Sequence, residues 1–144
     1  MCYFLSVFVP EISAIFARTA PKLALIEASL PKTHDDALRL SAPEAPPLTV
    51  PVIRGSSAGT TAVRVWDDRT AAVDQGDAAA AWCETVTGVE GARLVRMADG
   101  ERRKCSTKYA PRGSLTSFSD GFPVLLASEA SLGDLNRRLV SLST

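Results

Sequence analysis

The sequence predicts a β-rich α+β domain with two helices, and three observations predict it. Apolar residues recur in short runs separated by Pro, Gly and Asp, which is the spacing of strands and turns. Two stretches break that rhythm with a helical period. A chain of 144 residues with 46% hydrophobic and 22% charged residues has the composition and length to bury one ordinary core.

The elements follow in order. The opening run MCYFLSVFVP reads as a β-strand ended by Pro10; no basic residue precedes Arg18, as a secretory signal would require, and the run is too short to cross a bilayer. Leu23 to Ala28 reads as a strand after Pro21. Leu38, Leu40 and Ala42 alternate with polar neighbours, Pro43 to Pro47 turns the chain, and Leu48, Val50 and Val52 alternate in a partner strand. Gly55 to Thr60 is a loop, and Ala62 to Trp66 forms another strand, ended by the turn-favouring pair Asp67 and Asp68. Asp77 is placed to cap a helix whose apolar face carries Ala79, Trp82, Cys83 and Val86, and Gly88 ends it. Ala92 to Met97 and Pro123 to Ser128 are two further strands. A second helix starts at Ser131, with Asp134 three residues on; Leu132, Leu135 and Leu139 form its stripe, and Arg137 and Arg138 suit its negative end.

Sixteen basic residues balance sixteen acidic ones, so the basic excess of a nucleic-acid binder is missing. The cysteines, Cys2, Cys83 and Cys105, match no metal spacing and fit free thiols of a reducing compartment. With His34 the lone histidine, and read as an exposed loop residue, a protein-only zinc site is disfavoured; a metal would arrive inside a cofactor.

Two constellations invite chemistry. In SFSDGFPVLLASEASLGDLNRRL, Ser117 to Leu139, the carboxylate of Asp120 could accept two hydrogen bonds from the amino edge of a pterin, and Gly121 would let backbone approach it. Spacing alone favours a plain turn at Ser119, Asp120 and Gly121. The loop Glu101 to Arg112 carries Arg102, Arg103, Lys104, Lys108 and Arg112, which could meet a cofactor phosphate or simply line a solvated surface. Cations around Cys105 favour a reactive thiol, but no histidine lies near in sequence to serve as base, so nucleophilic catalysis is disfavoured. Trp66 and Trp82 read as core anchors, and Cys83 as a buried thiol.

The order of these motifs resembles a known family. VWDDRTAAVDQGDAAAAWCETVTG (Val65 to Gly88) is similar to a V-W-D-D strand end leading into a D-x-G-D turn and an A-A-W helix, and RLVRM follows. SFSDGFPVLLASEASLGDLNRRL resembles the signature S-F-A-D-G-F/Y-P-x-L-L-I-S-x-A-S-L-x-D-L-N-x-R-L, and PKLALIEASL and LRLSAPEAPPLTVPV resemble barrel strands. The family is the MOSC superfamily, in its members with an N-terminal β-barrel domain, which include the mitochondrial amidoxime-reducing components and bacterial relatives. The resemblance spans roughly Phe16 to Leu139. It implies an antiparallel partial barrel of the MOSC N-terminal type, and a molybdenum cofactor (molybdopterin) held between barrel and MOSC domain. It also implies reduction of N-hydroxylated compounds with electrons from a separate redox protein, and cofactor contact at Ser119, Asp120 and Gly121.

The departures shape the expectation. The family's cofactor-binding lysine and arginine lie in an upstream strand and a G-L-x-x-D-R-x-W motif, while Phe16 to Thr19 corresponds to the stretch just after it. The metal-ligating cysteine belongs to a C-S-R-C motif beyond the D-L-N-R-R-L helix, a place neither Cys83 nor Cys105 occupies. Residues 1–15 are thus expected to be a divergent segment, and 16–144 a barrel domain ending before the catalytic MOSC core. Three readings follow: a truncated molybdenum-cofactor protein, inactive alone and with no catalytic or metal residue of its own; a non-catalytic barrel binding a substrate or partner; and an oxidoreductase whose metal ligand comes from a companion chain. A truncated barrel should expose an unpaired edge. No transmembrane segment is expected, and no targeting signal chooses between cytoplasm and mitochondrion.

Overall fold

The computed structural model describes residues 5–9, 13–14, 19–29, 37–53, 59–122 and 126–142. His34, Cys2, the Pro10 stop and most of the loop expected at Gly55 to Thr60 lie outside them. Among the described residues, ten strands and two α-helices are arranged as two main sheets and a small ribbon. The strands are β1 (Leu5–Val9), β2 (Ser13–Ala14), β3 (Glu27–Ser29), β4 (Leu38–Ala42), β5 (Ala45–Val50), β6 (Thr61–Val65), β7 (Asp68–Asp74), β8 (Arg93–Met97), β9 (Arg103–Lys104) and β10 (Leu115–Thr116). Helix α1 (Asp77–Thr87) lies between β7 and β8, and α2 (Glu129–Leu142) follows β10.

The barrel runs in the order β1-β2-β6-β7-β8, and β1 returns to β8 through the pairs Leu5 to Arg96 and Phe8 to Arg93. The open edge expected from missing strands is therefore not found at β1. One junction is slender: β2 meets β6 in a single parallel bridge, Ser13 to Arg64, so the barrel is partial in its hydrogen bonding there. The other barrel pairings are antiparallel. A separate three-stranded sheet, β3-β4-β5, contains the expected hairpin.

Burial explains the layering. Along β8, Leu94 joins the cluster of Trp82, Cys83 and Val86 on α1 with Leu38, Leu40 and Val50 of the three-stranded sheet. Its neighbour Val95 faces the other way and packs with Val63, Val65, Ala72 and Phe118. Successive strand residues point to opposite faces, so β8 is the shared wall of two cores. Helix α1 is pinned from outside as well: Trp82, only 6% exposed, donates its indole N–H to the carbonyl of Pro46 at 2.7 Å.

Four expected elements need correction. The Leu23 to Ala28 strand is instead a 3-10 turn at Pro21–Leu25 followed by the short β3. Pro21 presets a helical φ and has no N–H to give a ladder, which favours the turn. Asp77 does not cap α1; Gly76 occupies that position with φ 94°, and Asp77 sits in the first turn, where its charge suits the helix dipole. Helix α2 begins before Ser131: the Ser128 hydroxyl accepts the Ser131 N–H at 3.1 Å, and the helix runs to Leu142, leaving Arg137 and Arg138 short of its end. Residues 126–128 lie in no strand, and 123–125 fall outside the described residues. Strand β7 was not expected at all.

Helix α2 carries the expected stripe at Leu132, Leu135 and Leu139, yet none of its residues is buried. A 14-residue helix with no buried side chain is marginal in water, since isolated helices below about 12–15 residues rarely persist. Hydrogen exchange on the chain should therefore show α2 amides exchanging far faster than those of α1; equal protection would mean that α2 is docked in solution.

At the β7–α1 junction, Asp74 accepts the Gly76 N–H at 2.7 Å and is gripped by the Arg93 guanidinium, whose Nη2 lies 2.9 Å from Oδ1. Burial pushes the Asp74 carboxyl up, but the hydrogen bonds and charge of Arg93, with the Gly76 N–H, outweigh it and hold it below the usual 3.8. A depressed carboxylate contributes stability above its unfolded value and loses it as the pH falls through its folded value. Asp74→Asn should accordingly flatten the acid limb of a stability-versus-pH curve below about pH 4, read by urea unfolding; an unchanged limb would remove Asp74 from the acid response.

Candidate functional site

The candidate site is built where three loops meet around one buried cation. The β6–β7 hairpin turns at Trp66 and Asp67, and Val65 pairs with Asp68. Arg103 enters from β9, and β10 leads through Ser117 and Phe118 into the Ser119–Asp120–Gly121 turn. The Arg103 guanidinium, its side chain 6% exposed, donates from Nε to Asp68 Oδ2 at 2.7 Å. Its Nη1 donates to the carbonyls of Ser117 at 2.8 Å, Asp120 at 3.0 Å and Ser119. A planar fork with fixed donors can gather several acceptors that a lysine would serve only as a point charge.

The three residues expected to meet a ligand sit together on that turn, and they differ in what they offer. Ser119 turns inward: its hydroxyl bonds that of Thr116, and its carbonyl is held by Arg103. Asp120 is exposed, with Oδ1 accepting the Trp66 indole N–H at 2.8 Å. Gly121 is exposed, and a Cβ built there would meet nothing within 4 Å, so the surface above it is open to a close approach.

The basic loop divides. Arg103 is structural, whereas Arg102, Lys104, Lys108 and Arg112 are exposed. The Lys108 ammonium lies 4.8 Å from the centre of the Tyr109 ring, and Tyr109 meets Phe122 edge-on at 6.2 Å. Phe122 adjoins Gly121, so this chain of contacts brings one cation toward the turn. The thiols are not presented there. Cys105 is buried, and Cys83, with no exposed surface, is raised to about 11 by burial first and the charge of Glu84 second. Among the described residues no group of three His, Cys, Asp or Glu is placed to hold a metal.

Trp66 is not the core anchor that its strand-end position suggests. It is 48% exposed, and it has φ 57°, the one positive value outside glycine among the described residues. The available signal was its position before two aspartates, where a two-residue hairpin must turn. Arg103 was hidden in a run of basic residues whose average behaviour is to be solvated.

Comparison with known proteins gives concordant matches. The model of the MOSC N-terminal beta barrel domain matches residues 5–90. Mitochondrial amidoxime reducing component 2 of Bos taurus is 30% identical over 128 residues, covering 87% of this chain and 37% of that protein. Mitochondrial amidoxime-reducing component 1 of Mus musculus is 31% identical over 132 residues, covering 90% of this chain and 38% of that protein. The chain thus spans under two fifths of the length of these relatives. The solution structure of a Bordetella bronchiseptica protein shares the fold with a TM-score of 0.55 and 25% identity, covering 65% of this chain and 71% of that one.

Replacing Arg103 tests the architecture. Arg103→Met leaves three carbonyls without their donor and should cost about 2–4 kcal/mol in urea unfolding. Arg103→Lys should recover only part of it, because the fork is lost; a loss below 1 kcal/mol for Arg103→Met, by the same order-of-magnitude reasoning, would show the clamp to be dispensable.

Proposed function

Because the chain belongs to the MOSC N-terminal beta barrel family, we propose that it acts as the cofactor-flanking barrel of a molybdenum-cofactor oxidoreductase of the amidoxime-reducing kind. The observation that carries this reading is the contact between its two separated family-like motifs. The tryptophan of Val65-Trp66-Asp67-Asp68 holds the aspartate of Ser119-Asp120-Gly121, so both converge on one exposed acidic turn.

In this reading Asp120 accepts hydrogen bonds from the amino edge of the pterin, and open Gly121 lets it approach. Ser119 fixes the turn. Lys108, brought near by Tyr109 and Phe122, suits the cofactor phosphate. When bound, the cofactor supplies two-electron reduction of an N-hydroxylated substrate, with electrons from a separate redox protein. The residues fit the pterin and not the metal: neither buried thiol, Cys83 or Cys105, is presented as a ligand. The thiolate that holds molybdenum would come from other residues or a companion MOSC chain, and this chain alone has no reductase activity. The alternative is a non-catalytic barrel that binds a substrate or partner, which the uncovered leucine face of α2 favours.

Titration of the purified chain with 6-hydroxymethylpterin, followed by pterin fluorescence, separates the two. The cofactor reading expects saturable binding, weakened about 10–100-fold by Asp120→Ala, since hydrogen bonds to a charged group contribute roughly 1.5–3 kcal/mol. It also expects molybdenum well below one atom per chain. Absence of pterin binding would leave the partner-binding barrel, and a full molybdenum load would overturn the assignment of the metal ligand to residues outside this chain's buried thiols.

A further inference from the structure

We propose that Trp66 is a positioning residue for Asp120: the strained hairpin tip presents a neutral donor that aims the carboxylate at its ligand while leaving its charge intact. This rests on the reading of the Ser119–Asp120–Gly121 turn as a ligand-facing surface.

The first observation is backbone strain at a half-exposed residue. A bulky side chain at φ 57° crowds its own backbone, and glycine or asparagine makes such a turn more easily. Burial does not compensate, because about half of the Trp66 surface remains exposed, in contrast to Trp82. Backbone held in a sparsely populated region persists where the surroundings fix it, and such residues gather at functional sites.

The second observation is that the hairpin and the turn are already joined without the indole. Arg103 bonds Asp68 on one side and the carbonyls of Ser117, Ser119 and Asp120 on the other. That clamp holds the backbone of the turn, and its hydrogen bonds go to Asp68 and to main-chain carbonyls and not to the Asp120 carboxylate. The Trp66 N–H, 2.8 Å from Oδ1, supplies the missing constraint.

The third observation is the kind of donor. Asp68, Asp74, Asp77, Asp99 and Asp134 each bond an arginine. Among the described residues Asp120 is the aspartate whose side chain is held instead by a neutral N–H. An arginine there would cancel the charge and occupy both oxygens in a fork. An indole has one donor and no charge, so it orients one oxygen and leaves Oδ2 and the negative charge for a ligand.

Two variants of the full chain test this. Trp66→Gly removes the indole and relieves the backbone, and Trp66→Phe keeps a large ring but deletes the donor. Both should weaken 6-hydroxymethylpterin binding about tenfold, while the thermal midpoint of Trp66→Gly does not fall. In the ligand-free chain, Trp66→Phe should shift the Asp120 carboxylate carbon resonance and average its side-chain couplings, which a merely structural ring would not do. If the parent binds pterin and both variants bind as tightly, the positioning role is overturned and the turn reading stands. If the parent binds no pterin, the turn reading fails, and the carboxylate resonance decides the positioning role alone: an unchanged resonance in Trp66→Phe overturns it too.

Discussion

The buried guanidinium of Arg103 is the constraint around which the functional end of the molecule is arranged. A tight turn brings the carbonyls of Ser117, Ser119 and Asp120 toward one point, and their dipoles repel unless a donor lies between them. Taking a cation out of water is expensive, and it is tolerated here because the Asp68 carboxylate accepts from Nε and the three carbonyls accept from Nη1. The arrangement is reciprocal: the turn hydrates the cation, and the cation shapes the turn. Ser117 Oγ, a buried hydroxyl without a partner among the described residues, sits inside this tightly specified stretch. Its backbone, not its side chain, is what the site uses.

The barrel supplies the rigid wall that this clamp needs. Strand β8 separates two cores, and both depend on it, Leu94 facing α1 and Val95 facing the cluster of Val63, Val65 and Ala72. Phe118 belongs to that second cluster. The residue following Ser117 is thus anchored in the barrel core, while Ser117 and Ser119 on either side give their carbonyls to Arg103. Hydrophobic burial and a charged clamp act on alternate residues of one short segment, which leaves Asp120 and Gly121 little freedom except at their exposed side. Buried Gln75 and Arg96 tie residue Ile53 to the same wall through its N–H and carbonyl.

What the sequence made legible, and what it did not, follows from which interactions are local. The alternation in β4, β5 and β6 and the period of α1 are visible because each element has one buried face, and periodicity reports that. Strand β7 escaped because it is rich in small residues and is buried at Ala72 and Val73 in succession, so no alternation marks it. The Pro21 turn is not legible in the sequence because an apolar run of that length fits a strand or a helix equally. The Ser119–Asp120–Gly121 turn was found as a segment, but its two partners lie 54 and about 17 residues away. No spacing rule predicts that Trp66 and Arg103 meet there, because tertiary folding makes the contact.

The two tryptophans show why composition and position together still underdetermine role. Both have one N–H that needs an acceptor when the ring is removed from water. Trp82 is placed by its helix against a sheet, finds a backbone carbonyl and becomes part of the core. Trp66 stands at the tip of a two-residue hairpin, where about half of its surface stays exposed. The acceptor it reaches is a carboxylate, and the pairing is asymmetric in effect. The indole gains a charge-assisted bond, whereas the carboxylate gains direction without losing charge. An ion pair in the same place would have produced a stronger tie and a weaker anion. A surface that must hold its backbone firmly and still offer negative charge outward therefore needs two kinds of donor, a buried cation for the carbonyls and a neutral N–H for the carboxylate, and Arg103 and Trp66 divide that work between them.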